Sequence, residues 1–534
     1  MITRVPTPTI RCTHPWLRAL ASAAFALTAS VHVPAQFTQD DAIHITNRIG
    51  FGGNTADRNA VMSNYANWLA SQLHPWQIPD PDVDALMQAH PTHSLATLQR
   101  EQVLRATFSN RRLQEAMTYF WERHFNTNWI KVRNRLIAKN ITQQVNADFL
   151  ATRLEATSNT IYRSQAMGSF QFLLYWTTIS PTMMLYLDND TNQGCQGNEN
   201  YAREFLELYA MGPVHGSSGT QNYTQADVVA AAGCFSGWDV TMSTWPNVGT
   251  VFNGANHCQQ VQTLFSGKPH QITVPLVGNG QNQLQDLVTQ VAASEPTKDF
   301  ICRKLMQYFL SDAGGSDALL GDMTSAWGTN GDIRAVLNVL LTSPEFLGAA
   351  HRWQRTQTPF ERVVWWQRSW DATLMRTDNF QVDITKCDVL RDRIELLGER
   401  LFVHPTPDGY PTDGDEQISA AISVSSWDYA ARLRTALDPL LAAPGNFYPI
   451  DPTVALALFT VPSTATNTVA SLLLTRLYGS TFTPLDLQQV DDAIRFDDLG
   501  VMLPPLSLAN GIDYAERLAV GAATAGAFVQ AQLK

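Results

Sequence analysis

The 534-residue chain has no run of Lys and Arg long enough to make a basic patch, and its excess of acids gives a net charge of −11. That balance excludes a protein that tracks nucleic-acid phosphates, so no nucleic acid is expected as a partner. Neither GxSxG nor GxxxxGK[ST] occurs, which removes the strained serine elbow and the phosphate-cradling P-loop. CxxC, CxxCH, Cys/His zinc spacing and a flavin-type glycine fingerprint are also missing. No repeat of fixed period is visible, so a solenoid is not expected. Beyond the N-terminus no apolar stretch is long enough to span a bilayer.

The N-terminus carries an address. Arg4, Arg11 and Arg18 lead into ALASAAFALTASVHV and then VPA at 33–35. A positive segment, a short apolar run and small residues at −3 and −1 predict a secretory signal over 1–35, cleaved before Gln36. The alternative is an uncleaved anchor. Cleavage places the mature chain in the periplasm or outside the cell, where disulfides form. Five cysteines then remain: Cys195, Cys234, Cys258, Cys302 and Cys387. Cys302 falls on the apolar side of a helix and reads as a buried small hydrophobe. One disulfide is expected among Cys195, Cys234 and Cys258, with the pair left open.

Helical periodicity dominates the rest. It predicts helices at 40–48, 57–72, 94–108, 111–125, 133–149, 154–164, 166–179, 199–211, 224–235, 281–294, 297–310 and 332–341. More follow at 360–370, 389–398, 426–441 and 513–533. Thr224 with Asp227 three residues on resembles a capping box. Between 237 and 280 the pattern turns to β-branched alternation with Gly-Lys-Pro punctuation, which predicts a hairpin or small sheet, centred on 245–280. A turn-rich loop, VHPTPDGYPTDGDE, occupies 403–416. The expected fold is mainly α: a large multi-helix domain over 36–400 with the β insert, and a C-terminal helical part over 401–534 packed on it.

One stretch, LDNDTNQGCQGNENYAREFLELYAMG at 187–212, concentrates polar chemistry. On a helical wheel, Glu199, Asn200, Arg203, Glu204 and Glu207 share an arc of about 140°, with Glu199–Arg203 and Arg203–Glu207 at i,i+4. A solvated, ion-paired helix face explains that pattern fully. The preceding loop offers a second reading. With Asp188 as position 1, Asp190, Asn192 and Glu199 take positions 3, 5 and 12 of an EF-hand-type calcium loop. Gln193 stands where that loop requires Gly.

Six blocks in chain order resemble the bacterial family called domain of unknown function 1800. HITNRIGFGG at 44–53 is similar to its His-Leu-Leu-x-Arg-x-Gly-Phe-Gly opening, and YFWERHF at 119–125 to its Phe-Trp-His-x-His-Phe block. NENYAREFLEL at 198–208 resembles its central signature, and YTQADVVAAAGCFSGW at 223–238 its Tyr-Thr-x-x-Asp-Val…Thr-Gly-Trp block. FICRKLMQYF at 300–309 and LLTSPEFL at 340–347 complete the series. The resemblance implies a site where His44, Arg48, His124, Glu199, Arg203, Glu204, Glu207, Asp227, Trp238 and His257 converge. Two departures stand out. Glu122 replaces the first His of His-x-His and would need a raised pKa to move protons near neutrality. His257 is followed by Cys258 where the family often has Asp.

Three functions fit these residues. The first is an exported hydrolase or lyase acting on an extracellular polymer such as a polysaccharide. Two of Glu199, Glu204 and Glu207, with Glu204 and Glu207 the first choice, would be acid and base, aided by Arg203 and His124, and Trp238, Arg48, His44 and Asp227 would hold substrate. Trp121, Trp129 and Trp238 are candidates to stack on sugars. The second is a non-enzymatic envelope protein stabilised by calcium at Asp188, Asp190, Asn192 and Glu199. The third is a metal-dependent oxidase using His44, His124 and His257.

Overall fold

Helix punctuation in the sequence translates directly into structure. In the computed structural model, which describes residues 36–371, 382, 384–411, 464–497, 500–507, 511–526 and 528, Thr38 and Asp41 form a capping box that starts the Gln39–Gly50 helix. Thr358 and Glu361 do the same for Pro359–Ser369. The fold is mainly α. Among the described residues β-sheet is confined to three two-stranded antiparallel hairpins. The expected signal at 1–35 and the expected helix at 426–441 lie outside the described residues.

Two boundaries moved for a physical reason. The expected helices at 133–149 and 154–164 are instead Trp129–Ala138 and Gln144–Ser164. Asn140 breaks the first with a left-handed φ of 54°, a role that Asn and Gly fill at helix ends. The second then runs unbroken through the gap assigned at 150–153. The β region falls within the expected 237–280: Trp238–Thr244 pairs with Asn247–Phe252, placing Trp238 opposite Phe252. Gln262–Leu264 pairs with Ile272–Val274. A further small hairpin, Val214–His215 with Thr220–Gln221, was not foreseen.

The described residues form one compact unit. The GFGG turn after the first helix shows how its parts lock. Gly52 has φ +103°, and a Cβ there would stand 2.9 Å from Trp365. Its carbonyl accepts from the buried Arg368 Nε at 2.6 Å. Arg368 and Arg112 both pair with Asp57. Burial alone would raise the Asp57 carboxyl, but the two guanidiniums hold it below the usual range. The C-terminal helices Thr466–Tyr478, Pro484–Arg495 and Gly511–Gly526 are tied back as well: Asp40 accepts from Ser480 N at 2.8 Å, and Arg476 pairs with Asp371 at 2.9 Å.

The 401–411 segment is fastened over the end of the Arg112–His124 helix. Asn126 donates to Thr406 O at 2.8 Å, and Arg123 donates to Tyr410 O at 2.9 Å and Pro411 O at 2.7 Å. Asp408 and Tyr410 are thereby placed beside Arg123 and His124 at one cavity.

Candidate functional site

The expected helix at 199–211 is α only over Asn200–Glu204. From Phe205 to Ala210 it is π-helical. A π segment hydrogen-bonds i→i+5, and such segments occur frequently at functional sites. A wheel drawn at α spacing therefore fails past Glu204. The Arg203–Glu199 pair forms at 3.2 Å, but no Arg203–Glu207 ion pair is present among the described residues. Arg203 turns to Gln225 Oε1 at 2.9 Å, and Glu207 accepts from the Tyr223 hydroxyl at 3.1 Å.

Glu204 differs from its neighbour. Its half-buried carboxyl has no hydrogen-bond or ion-pair partner among the described residues. Burial first, then the like charge of Glu207, raises its pKa; Arg203 opposes this and Asp408 adds to it. Two carboxylates three residues apart thus sit in unlike surroundings, one held by a phenol and one biased toward its protonated form. Separation of this kind lets one group act as acid and the other as base.

His124 and Lys304 line an adjoining cavity of about 50 Å³ with Arg123, Arg355, Asp408 and Tyr410. Lys304 Nζ lies 3.2 Å from His124 Nδ1. An ammonium can only donate, so Nδ1 accepts and the proton resides on Nε2, which donates to Tyr209 O at 3.0 Å. Burial, then Lys304, drives the imidazole pKa well down. His124 is a neutral, doubly engaged ring that orients Lys304 and grips the π segment; it is not a free proton carrier. Lys304 itself is lowered to about 8 by burial and by Arg123.

The calcium ladder does not assemble. Asp188 pairs with Lys131 at 2.9 Å and Arg135 at 3.3 Å. Asp190, its side chain fully buried, pairs with Arg135 at 2.7 Å and Lys139 at 2.9 Å. Asn192 donates to Ala232 O at 2.9 Å and Asn189 Oδ1 at 3.2 Å, and Glu199 faces Arg203 and Gln225. Among the described residues no three His, Cys, Asp or Glu side chains converge on a metal position. Three cationic side chains occupy the ground a divalent ion would need, so the donor set does not fit calcium. The loop is held instead by its own amides, with Asn198 Nδ2 on Asp188 O at 2.9 Å and Asn200 Nδ2 on Leu187 O at 3.2 Å. A Cys195–Cys258 disulfide, Cα–Cα 4.5 Å, ties it to the β region. Cys234, the third candidate, is a buried thiol.

The residues assigned to substrate are buried, each with contacts of its own. His44 is buried, with Nε2 on Phe346 O at 2.8 Å, and burial and Arg48 lower its pKa to about 3. Arg48, fully buried, donates to His351 O at 2.7 Å. Asp227 accepts from Thr224 N at 2.6 Å, as the capping reading expected, and also from Phe265 N. Trp238 is 8% exposed and packs on Phe252, while Trp121 is 0% exposed and donates to Ala166 O at 2.9 Å. Neither tryptophan offers a face for a sugar. His257 is clamped between Ser236 O at 2.8 Å and Gln283 Oε1 at 2.9 Å. None of these joins the Glu204–Lys304 region, and the three histidines do not share one centre.

Glu122 has the property that its replacement of His demanded: burial raises its pKa to about 7. It faces Asn159 at 3.0 Å, on a different side of its helix from His124. Lys304, Arg123, Asp408 and Tyr223 were not singled out from sequence. Lys304 had a signal, since Ile301, Leu305 and Tyr308 at −3, +1 and +4 are buried, which sets a lysine in an apolar stripe.

Fold and site together define a mainly α protein with a pair of unlike carboxylates, set on an α-to-π helix beside a cation-lined cavity. The chain belongs to the family described as "Protein of unknown function (DUF1800)", whose model matches residues 44–499. Comparison with curated proteins and with solved structures gives no match.

Proposed function

We propose that this protein is an exported hydrolase or lyase acting on an extracellular polysaccharide, with Glu204 as general acid and Glu207 as the paired carboxylate. The observation that carries this reading is the contrast between the two groups: Glu204 half-buried, raised and without a hydrogen-bond or ion-pair partner among the described residues, Glu207 steadied by Tyr223. Glu204 would deliver its proton to a leaving oxygen. Glu207 would draw a proton from water in hydrolysis, or from a sugar carbon in elimination. Arg203, held between Glu199 and Gln225, moderates Glu204 without neutralising it. His124 is a positioning residue through Lys304. Export rests on the N-terminal Arg and apolar pattern and agrees with the Cys195–Cys258 disulfide. A calcium ion has no place in this mechanism.

The test is a panel of neutral and acidic polysaccharides incubated with the full chain. New reducing ends report hydrolysis, and new absorbance from an unsaturated sugar reports elimination. Removing a general acid costs about 10²–10⁴ in rate. Glu204→Gln should therefore abolish turnover at unchanged thermal stability, and a variant as active as wild type would reject the assignment.

A further inference from the structure

We infer that Lys304 anchors a compact oxyanion, and that the substrate of the site is an acidic polysaccharide bearing carboxylate or sulfate groups. The substrate half of this inference rests on the hydrolase or lyase reading; the anion subsite stands on its own geometry.

Three cationic side chains line the cavity, but two are already matched. Arg123 pairs with Glu399 at 3.1 Å, and Arg355 meets Glu361 through two contacts of 2.8 and 2.9 Å. Lys304 is the cation of the lining with no carboxylate partner among the described residues. Its Nζ has three N–H donors, of which one is directed to His124 Nδ1. The ammonium also lies 5.1 Å from the Phe300 ring centroid, a contact that does not use a hydrogen-bond acceptor. Two strong donors are left for a ligand.

Size is compatible with a compact anion at those donors. A water needs roughly 10–15 Å³ of such space, so about 50 Å³ takes a group of three to five heavy atoms. A carboxylate or sulfate fits there. Asp408 is the one carboxylate among the lining residues, and it is exposed. It also acts on Glu204, which places the anion subsite and the carboxylate pair within electrostatic reach of each other. A charged substituent held at Lys304 would fix the register of its chain against Glu204. The ammonium, lowered to about 8, would hold its proton more firmly once an anion arrives.

Calorimetric titration of the full chain at low ionic strength tests the subsite with three probes: sodium sulfate, sodium galacturonate and neutral methyl galactoside. Wild type should bind sulfate and galacturonate, and the neutral sugar at least tenfold more weakly. Galacturonate binding more tightly than sulfate would assign the subsite to a sugar carboxylate, and the reverse order to a sulfate ester. Lys304→Met should weaken both anions at least tenfold, and Lys304→Arg should retain them. Circular dichroism melts establish that each variant is folded. Equal anion binding by wild type and folded Lys304→Met would overturn the subsite, as would no anion binding by wild type. Anion binding that depends on Lys304, with polysaccharide turnover indifferent to Glu204→Gln, would leave the subsite standing and remove the catalytic reading beneath it.

Discussion

Glu122 and Glu155 lie in the helical body within electrostatic reach, and their ionisation should change stability with pH. Burial raises Glu122 from the ordinary 4.5 to about 7. Burial, then Glu122, also pushes Glu155 well above the ordinary range, although Thr127 donates to it at 2.7 Å. For Glu122 the folded chain holds a proton between pH 4.5 and 7 that the unfolded chain has released. Stability is therefore greatest below pH 4.5 and falls through that window. At about 1.4 kcal/mol per pH unit, the loss is about 3 kcal/mol by pH 8. Glu122→Gln keeps an acceptor for Asn159 Nδ2 and cannot ionise. Relative to wild type it should gain about 3 kcal/mol between pH 4.5 and pH 8, read from urea unfolding at both pH values. Parallel profiles for the two proteins would refute the buried, protonated state of Glu122.

Other consequences are equally direct. The Cys195–Cys258 bridge spans 63 residues, which in the chain-entropy description stabilises by roughly 4 kcal/mol; the double Cys→Ala variant should lose most of that in denaturant titration. Asp190→Asn strips the charge facing Arg135 and Lys139 from a fully buried position and should cost about 3 kcal/mol. That value is at the low end because Arg135 keeps Asp188 and Lys139 keeps Asp239. Chelator should leave the melting temperature unchanged, because the ladder carboxylates already face cationic side chains. A stoichiometric calcium ion lost on Glu199→Gln would contradict that.

Most of the fold was legible because it is helical and its helices announce themselves by period and cap. The Thr224–Asp227 box and the helix opening at Asp40 needed only local sequence. What escaped was set by non-local contact. The π turn at 205–210 is stabilised where His124, from a distant helix, meets Tyr209 O, and no local pattern records that. The calcium ladder was a real spacing with the wrong neighbours: Lys131, Arg135 and Lys139 lie on and just after a helix more than 45 residues upstream. Trp238 and Arg48 read as functional because polar or aromatic residues in landmark blocks attract that reading. Both are buried, one on a strand against Phe252 and the other donating to His351. Lys304 was overlooked for the opposite reason, as a lone lysine among apolar residues.

The most direct measurement is the ionisation of Glu204 in the full chain, followed by ¹³C NMR of glutamate carboxyls and assigned by difference from Glu204→Gln. Glu204 should titrate above the ordinary glutamate range, and Glu207→Gln should move it down by removing the like charge beside it. A Glu204 that titrates as a free glutamate does, unmoved by Glu207→Gln, would contradict the acid–base pair on which the functional reading stands.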